Sequence, residues 1–453
     1  MLSLAALSLP LTLTAAAVVG LLLGVVVNWA TYWLAWNRRH VSPWSPPHAD
    51  APPRRASDRL PLAGWWGLRR EHAVHGRGFW IRPLMVELAM AAGVAALVWW
   101  EVDQLGLIRG QFAHLAGAWP PVNAMSVAGS ALWPTLIAHV LLVTLMAAAT
   151  FIDIDEKLIP DEITVYGTLL GLALVAWTPF ALLPQVTDQQ FLEEVGAPIQ
   201  LHVRGKWEHR GGHVEPVGYT APQPLSAERI ENSTPTDLAV ALACYGFWCL
   251  ALTPRILRVR QGLCRGLAVL VARMRREVLR PPLLWLALGG AAAITGVWLR
   301  GGPGWAGLYS ALIGMLGGGA LVWAVRIIGT WALGREAMGF GDVTLMMMIG
   351  AFIGWQACVV VFFAAPLAGL LVGVTQLVLR RGDEIPYGPF LCLATLGVIV
   401  SWARVWNYLR PMFEITWLVP AALAVCVVML GAMLVLWRNI KTAIFGDGEE
   451  RGQ

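Results

Sequence analysis

The chain has 453 residues, 57% of them hydrophobic and only 13% charged, with mean hydropathy +0.62 and net charge +5. Ordinary soluble domains carry about 25% charged residues, so a soluble globular protein is excluded. Charge-free stretches of about 20 residues read as transmembrane helices. A barrel does not fit them, because its strands would be about ten residues of alternating polarity. The basic excess is almost all arginine, with lysine only at Lys157, Lys206 and Lys441. In a membrane protein that surplus sets orientation and meets anionic lipid. No basic groove-reading motif points to nucleic acid. The six cysteines form no Cys-x-x-Cys, so neither a zinc site nor a disulfide framework is indicated.

In chain order, residues 1–36 hold the first span, about 11–36. No basic segment or cleavage site marks it as a removable leader, so it is retained as a helix. Residues 37–82 form a proline- and arginine-rich loop domain without cysteine. Its nine arginines far outnumber acids such as Asp58 and Glu71, which places it in the cytoplasm. His40, His48, His72 and His75 read as surface residues there. Residues 83–185 form a first membrane core, with spans near 83–100, 131–152 and 163–184. The third span delivers Asp153 to its cytoplasmic end, and Pro160 breaks any helix continuing through the next loop.

Residues 186–236 are polar, with mixed charge and no long apolar run, and read as an outside, periplasmic insert. Its histidines, His202, His209 and His213, lack the cysteine or clustered acid of a metal site. Residues 237–299 form an extra helix pair around a basic loop with eight arginines between Arg255 and Arg280, consistent with a helix on the inner leaflet. Residues 300–453 hold the remaining spans, near 305–330, 343–355, 356–379, 390–403 and 415–437. The total is about eleven transmembrane helices in an all-α polytopic protein. Gly314, Gly317, Gly318 and Gly319 offer a face for close helix approach, and Met346–Met348 read as packing.

Two acids stand out against this background. Asp153 closes one span, and Gly339-Phe340-Gly341-Asp342 opens another. Counting spans from the arginine-rich loop puts both aspartates on the cytoplasmic face. An acid at the edge of a lipid-soluble helix is costly, and is by default a functional hypothesis. Two carboxylates brought together share one proton, so one can act as general base on water and the other as general acid. That is aspartyl peptide hydrolysis, which needs no metal or cofactor. Gly339 and Gly341 permit a tight backbone and close approach before Asp342. Asp155, Glu156, Asp161, Asp383 and Glu384 read as loop acids.

These residues resemble the bacterial type IV prepilin peptidases, polytopic aspartyl proteases of the Gly-x-Gly-Asp class. Asp153-Ile154-Asp155-Glu156-Lys157-Leu158-Ile159-Pro160-Asp161 is similar to the family's first motif, and Gly339–Asp342 to its second. The resemblance implies catalytic roles for Asp153 and Asp342. Gly24 and Asn28, the run Pro83–Leu88 with Glu87, and Ile385-Pro386-Tyr387-Gly388-Pro389 resemble flanking family motifs. The implied substrates are prepilin or pseudopilin proteins, cut at the inner face of the bacterial inner membrane. The basic leader of such a substrate would suit the loop acids. In the family the first cytoplasmic loop is associated with N-methylation using S-adenosylmethionine. Many members carry zinc-ribbon-like cysteines there. Their absence here argues against zinc and leaves methylation open.

Two alternatives stay in view. Signal-peptide-peptidase-like enzymes share Gly-x-Gly-Asp but pair it with Tyr-Asp, where this chain has Ile152-Asp153. A proton-coupled transporter would place carboxylates in mid-span and break helices in paired halves.

Overall fold

The structure is a computed structural model that describes residues 8–38, 41–108, 111, 132–178, 181–188, 201–203, 208–209, 212–213, 217–220, 234–253, 281–333, 338–378, 386–415 and 417–445. Ten long helices run through these residues: α1 (Leu9–Trp33), α2 (Ile81–Val98), α3 (Trp133–Glu156), α4 (Asp161–Trp177), α5 (Pro235–Ala251), α6 (Pro281–Arg300), α7 (Gly302–Leu333), α8 (Phe340–Val378), α9 (Gly388–Glu414) and α10 (Leu418–Phe445). Eight are long and apolar enough to cross a membrane, by length and composition.

Helix α8 is bent back at Gly354, whose φ of 79° and ψ of 173° leave the helical region. A Cβ on Gly314 would meet both Gly350 and Gly354, whereas one on Gly318, a turn further along α7, would meet both Met346 and Cys358. The two arms of α8, 340–353 and 355–378, are therefore antiparallel. Counted as two, they bring the apolar helical segments to the expected eleven. The first arm is about 21 Å long at 1.5 Å per residue. That is shorter than the roughly 30 Å hydrocarbon core, so the turn lies at membrane depth. Non-helical backbone survives there only when protein covers it, and Ala351, Phe352, Ile353 and Gln356 are all buried.

Glycines set the close approaches that order the bundle. On α1, Ala16, Gly20, Gly24 and Asn28 lie on one buried face. A Cβ on Gly20 would stand 2.4 Å from the Met90 oxygen, and one on Gly24 2.7 Å from the Glu87 Cα. This small-residue seam lets α1 and α2 touch backbone to backbone. On α4, Gly167 receives the Met348 side chain and Gly171 receives Phe352. Met346, Met347 and Met348 are buried packing residues, as their composition implied. Helices α5 and α6 pair through Tyr245, which donates to the Leu286 oxygen at 2.9 Å and fills the space above Gly290.

The insert contains short strands. β1 (Gln185–Asp188) and β2 (Leu201–Val203) flank β5 (Val217–Thr220) in an antiparallel sheet, while β3 (Glu208–His209) pairs with β4 (Gly212–His213). Its root is fixed to the bundle by the Pro184 carbonyl, which accepts from Trp402 Nε1 at 2.7 Å and Gln111 Nε2 at 3.1 Å. The basic loop 255–280, and Asp383 and Glu384, lie outside the described residues.

Between α1 and α2 the arginine-rich loop is a small folded unit. Buried Glu71 takes a two-pronged hydrogen bond from Arg54, 2.9 Å on each oxygen, and His75 lies 3.3 Å from it. His75 is thus mostly buried beside Glu71 rather than a surface residue, because it closes the pocket around that acid. Buried Asp58 pairs with Arg70. Burial works against the Asp58 carboxylate. Hydrogen bonds from Arg70 and from the Arg55 N–H, with both positive charges, outweigh it and hold the acid below its usual range.

One substitution tests the hairpin. A Cβ on Gly350 would sit 2.2 Å from the Gly314 oxygen, backbone against backbone. Gly350→Ala is expected to cost about 1–3 kcal/mol, the usual range for overpacking. The check is a lowered thermal unfolding midpoint in detergent, with Gly246→Ala, which meets open space, as the neutral comparison.

Candidate active site

Three helix ends converge below the arginine-rich loop. Helix α3 ends with Asp153 in its last full turn. Lys157 then caps it in the left-handed conformation, and its N–H bonds the Asp153 carbonyl. The helix runs four residues further than the 131–152 span read from hydropathy, because Asp153, Asp155 and Glu156 find partners at this end. Pro160, extended at φ −65° and ψ 134°, separates α3 from α4. Helix α8 begins at Phe340, so Asp342 stands in its first turn. Helix α9 begins at Gly388, directly after Pro386 and Tyr387.

These ends meet on Asp153 and Asp342, both buried. The two carboxylates are close enough to feel each other's charge. Gly388, at the start of α9, lies directly against the Asp153 carboxylate. One oxygen of Asp153, Oδ2, is buried and has no partner. Gly388 has no room for a side chain: its Cβ would lie 2.5 Å from Asp153 Oδ2 and 3.0 Å from Ile159 Cδ1. Gly341 packs on Ile159 in the same way, with a Cβ contact at 3.0 Å. Gly339 lies near the Asp342 carboxylate. Burial, and next the charge of Asp342, push the Tyr387 phenol up to about 12, so it stays protonated.

The remaining first-motif acids are not alike. Asp155 forms an ion pair with Arg82 at 2.7 Å. Glu156 accepts the N–H groups of Trp36 at 2.6 Å and Asn37 at 2.9 Å. Both acids therefore hold the arginine-rich loop, and neither is free to receive a basic leader. Asp161 is exposed at the start of α4.

Glu87 lies apart from the aspartates, buried where α1, α2 and the loop meet. It accepts from the Leu62 N–H at 2.6 Å, Trp65 Nε1 at 2.8 Å and Asn28 Nδ2 at 3.3 Å. Asn28 also donates to the Pro83 carbonyl at 2.9 Å. Beside Glu87 lies a narrow crevice with room for little more than a water molecule, lined by Asn28, Trp29, Trp44, Arg59, Trp65 and Glu87. Nothing in the sequence pattern marked this cleft, because its walls come from α1, two points of the loop and α2. Among the described residues no group of three or more metal-ligating side chains comes together.

The fold and site define a polytopic helical membrane protein with two buried aspartates joined at helix ends. Residues 275–374, which include Asp342, match the profile of the type IV leader peptidase family. Similar curated proteins include the prepilin leader peptidase/N-methyltransferase of Pseudomonas aeruginosa, 37% identical over 26% of this chain and 39% of its own length. That of Aeromonas hydrophila is 34% identical over 20% of this chain and 32% of its own. That of Burkholderia pseudomallei strain K96243 is 31% identical over 29% and 42%. The chain thus aligns with well under half the length of these relatives. No solved structure matches it.

Gly388→Ala tests whether the Asp153 contact is tight. A misplacement of about 1 Å near reacting groups costs about 100-fold in rate. Gly388→Ala is expected to show a loss of that order in the cleavage assay described next, with helix content by circular dichroism unchanged.

Proposed function

We propose that the chain is an aspartic endopeptidase that removes the leader of type IV prepilin-like or pseudopilin substrates at the cytoplasmic face of the bacterial inner membrane. The observation that carries this reading is the buried meeting of Asp153 and Asp342 from two different spans, with an unpartnered carboxylate oxygen on Asp153. Two such carboxylates share one proton. The ionised one takes a proton from water, and that water attacks the scissile carbonyl carbon. The protonated one gives its proton to the carbonyl oxygen. Collapse of the tetrahedral species then breaks the C–N bond; the leaving amine takes the proton that the first carboxylate removed from water, and the second carboxylate takes a hydroxyl proton, which restores the pair. No covalent intermediate forms.

The placement favours a peptidase over a transporter. Asp153 is in the last turn of α3 and Asp342 in the first turn of α8, at the ends of spans rather than their middles. The bend at Gly354 breaks one helix, without a counterpart among the described residues. The arginines of the loop 37–82 support a cytoplasmic position for this end. A substrate would bring its basic leader from the cytoplasm and its apolar stem from the bilayer. Of the described motif acids, exposed Asp161 is the one left to meet such a leader.

Asp153→Asn and Asp342→Asn are each expected to abolish cleavage of a co-expressed prepilin, read as the loss of the faster-migrating mature band. Wild-type processing by either variant would remove the pair from the mechanism.

The similar curated proteins are named N-methyltransferases as well. The crevice beside Glu87 is too small for S-adenosylmethionine, and Arg59 already covers the Trp44 ring, so no methyl transfer is assigned to it.

A further inference from the structure

Arg82 sits at the first turn of α2, and its described contacts are on the last two turns of α3. Its Nη1 pairs with Asp155 Oδ1 at 2.7 Å, and its Nη2 donates to the Phe151 carbonyl at 3.1 Å. Its guanidinium also lies over the Phe151 ring, 5.0 Å from the centroid. Phe151 and Asp155 are one helical turn apart. They flank Asp153 by two residues on each side and lie on the helix face opposite to it.

We propose that Arg82 is a positioning residue for the peptidase reaction, which sets the rotation of the α3 terminus and so aims the Asp153 carboxylate. The inference rests on the peptidase reading above. Its physical basis is the weakness of helix ends. The last four carbonyls of a helix lack intrahelical partners, and the terminal turn frays. Here the chain leaves α3 at once, through left-handed Lys157 and then Pro160, so continuing helix cannot steady Asp153. The Trp36 and Asn37 N–H groups hold Glu156 at the tip, and Arg82 supplies the hold on the face opposite Asp153. Its planar fork reaches a carboxylate and a carbonyl together, and its flat face covers a ring, a combination that lysine cannot reproduce. Because Arg82 grips the far side of the helix, it fixes Asp153 without occupying the space where substrate must lie. The short-range restraint on the near side is the close packing of Gly388 against Asp153.

The test uses the purified full-length chain in lipid nanodiscs and a synthetic substrate with a basic leader, a glycine and an apolar stem. Arg82→Ala is expected to lower kcat about 10- to 100-fold, the range for a small misplacement of a reacting group, with KM changed less than about twofold. Arg82→Lys should recover part of kcat. Exchanging the pair, Arg82→Asp with Asp155→Arg, should recover more than either single change. Arg54→Gln weakens the buried pair with Glu71 inside the loop and serves as the stability control. It should lower the unfolding midpoint while leaving kcat per folded enzyme near wild type. Wild-type kcat in Arg82→Ala, alongside an inactive Asp153→Asn, overturns the positioning role and leaves the peptidase reading intact. A kcat loss that simply follows the unfolding midpoint, as in Arg54→Gln, overturns it equally. Cleavage by Asp153→Asn would instead sink the peptidase reading itself.

Discussion

Everything in this molecule turns on holding two carboxylates together in a place that disfavours them. An acid at the border of the hydrocarbon is costly, and a second one beside it repels the first. Neither can be carried on a flexible loop, since small errors in their separation would undo the site. The chain meets this constraint by using helix termini. Asp153 closes α3, Asp342 opens α8, and Gly388 at the head of α9 packs directly against the Asp153 carboxylate. Three rigid rods meet at their ends, and small residues at the junction, Gly341 and Gly388, let them come close enough.

The rest of the bundle can be understood as support for that junction. The first arm of α8 carries Asp342 and is too short to cross the bilayer. It therefore turns at Gly354 against α7, where Gly314 and Gly350 bring the two backbones into contact. Gly167 and Gly171 of α4 hold its Met348 and Phe352. Arg326 steadies the approach to the second aspartate, donating to the Met338 carbonyl at 2.9 Å and lying over the Phe340 ring. The chain is thus held on both sides of Asp342, by Arg326 of α7 before it and by the glycine face of α4 after it, and on the far side of Asp153 by Arg82.

Much of this was legible in the sequence, and the reasons are specific. Apolar runs of span length gave the helix order, and the span count put Asp153 and Asp342 at the same end of the bundle. Gly-Phe-Gly-Asp stood out because an acid follows two glycines at the edge of such a run. The unread parts are contacts between distant positions that carry no periodicity. Arg82 counted only as one more loop charge, yet it reaches residues 151 and 155. Asp155 and Glu156 looked solvated, and both are engaged with the loop. Glu101 and His139, fully buried and 2.8 Å apart, fell in segments that read as an outside loop and an apolar span. Glu87 was visible as part of a motif, but its three donors come from Leu62, Trp65 and Asn28, whose spacing gives no hint of a common target.

The loop between α1 and α2 has a further consequence. It leaves the membrane at Trp36 and Asn37, whose N–H groups rest on Glu156, and returns at Arg82, which rests on Asp155. Departure and return are thus moored to neighbouring residues of one helix. Everything between them is a closed excursion whose interior is free to be rebuilt without moving the moorings. Here that interior is stitched by arginine–carboxylate pairs, Arg54 with Glu71 and Arg70 with Asp58.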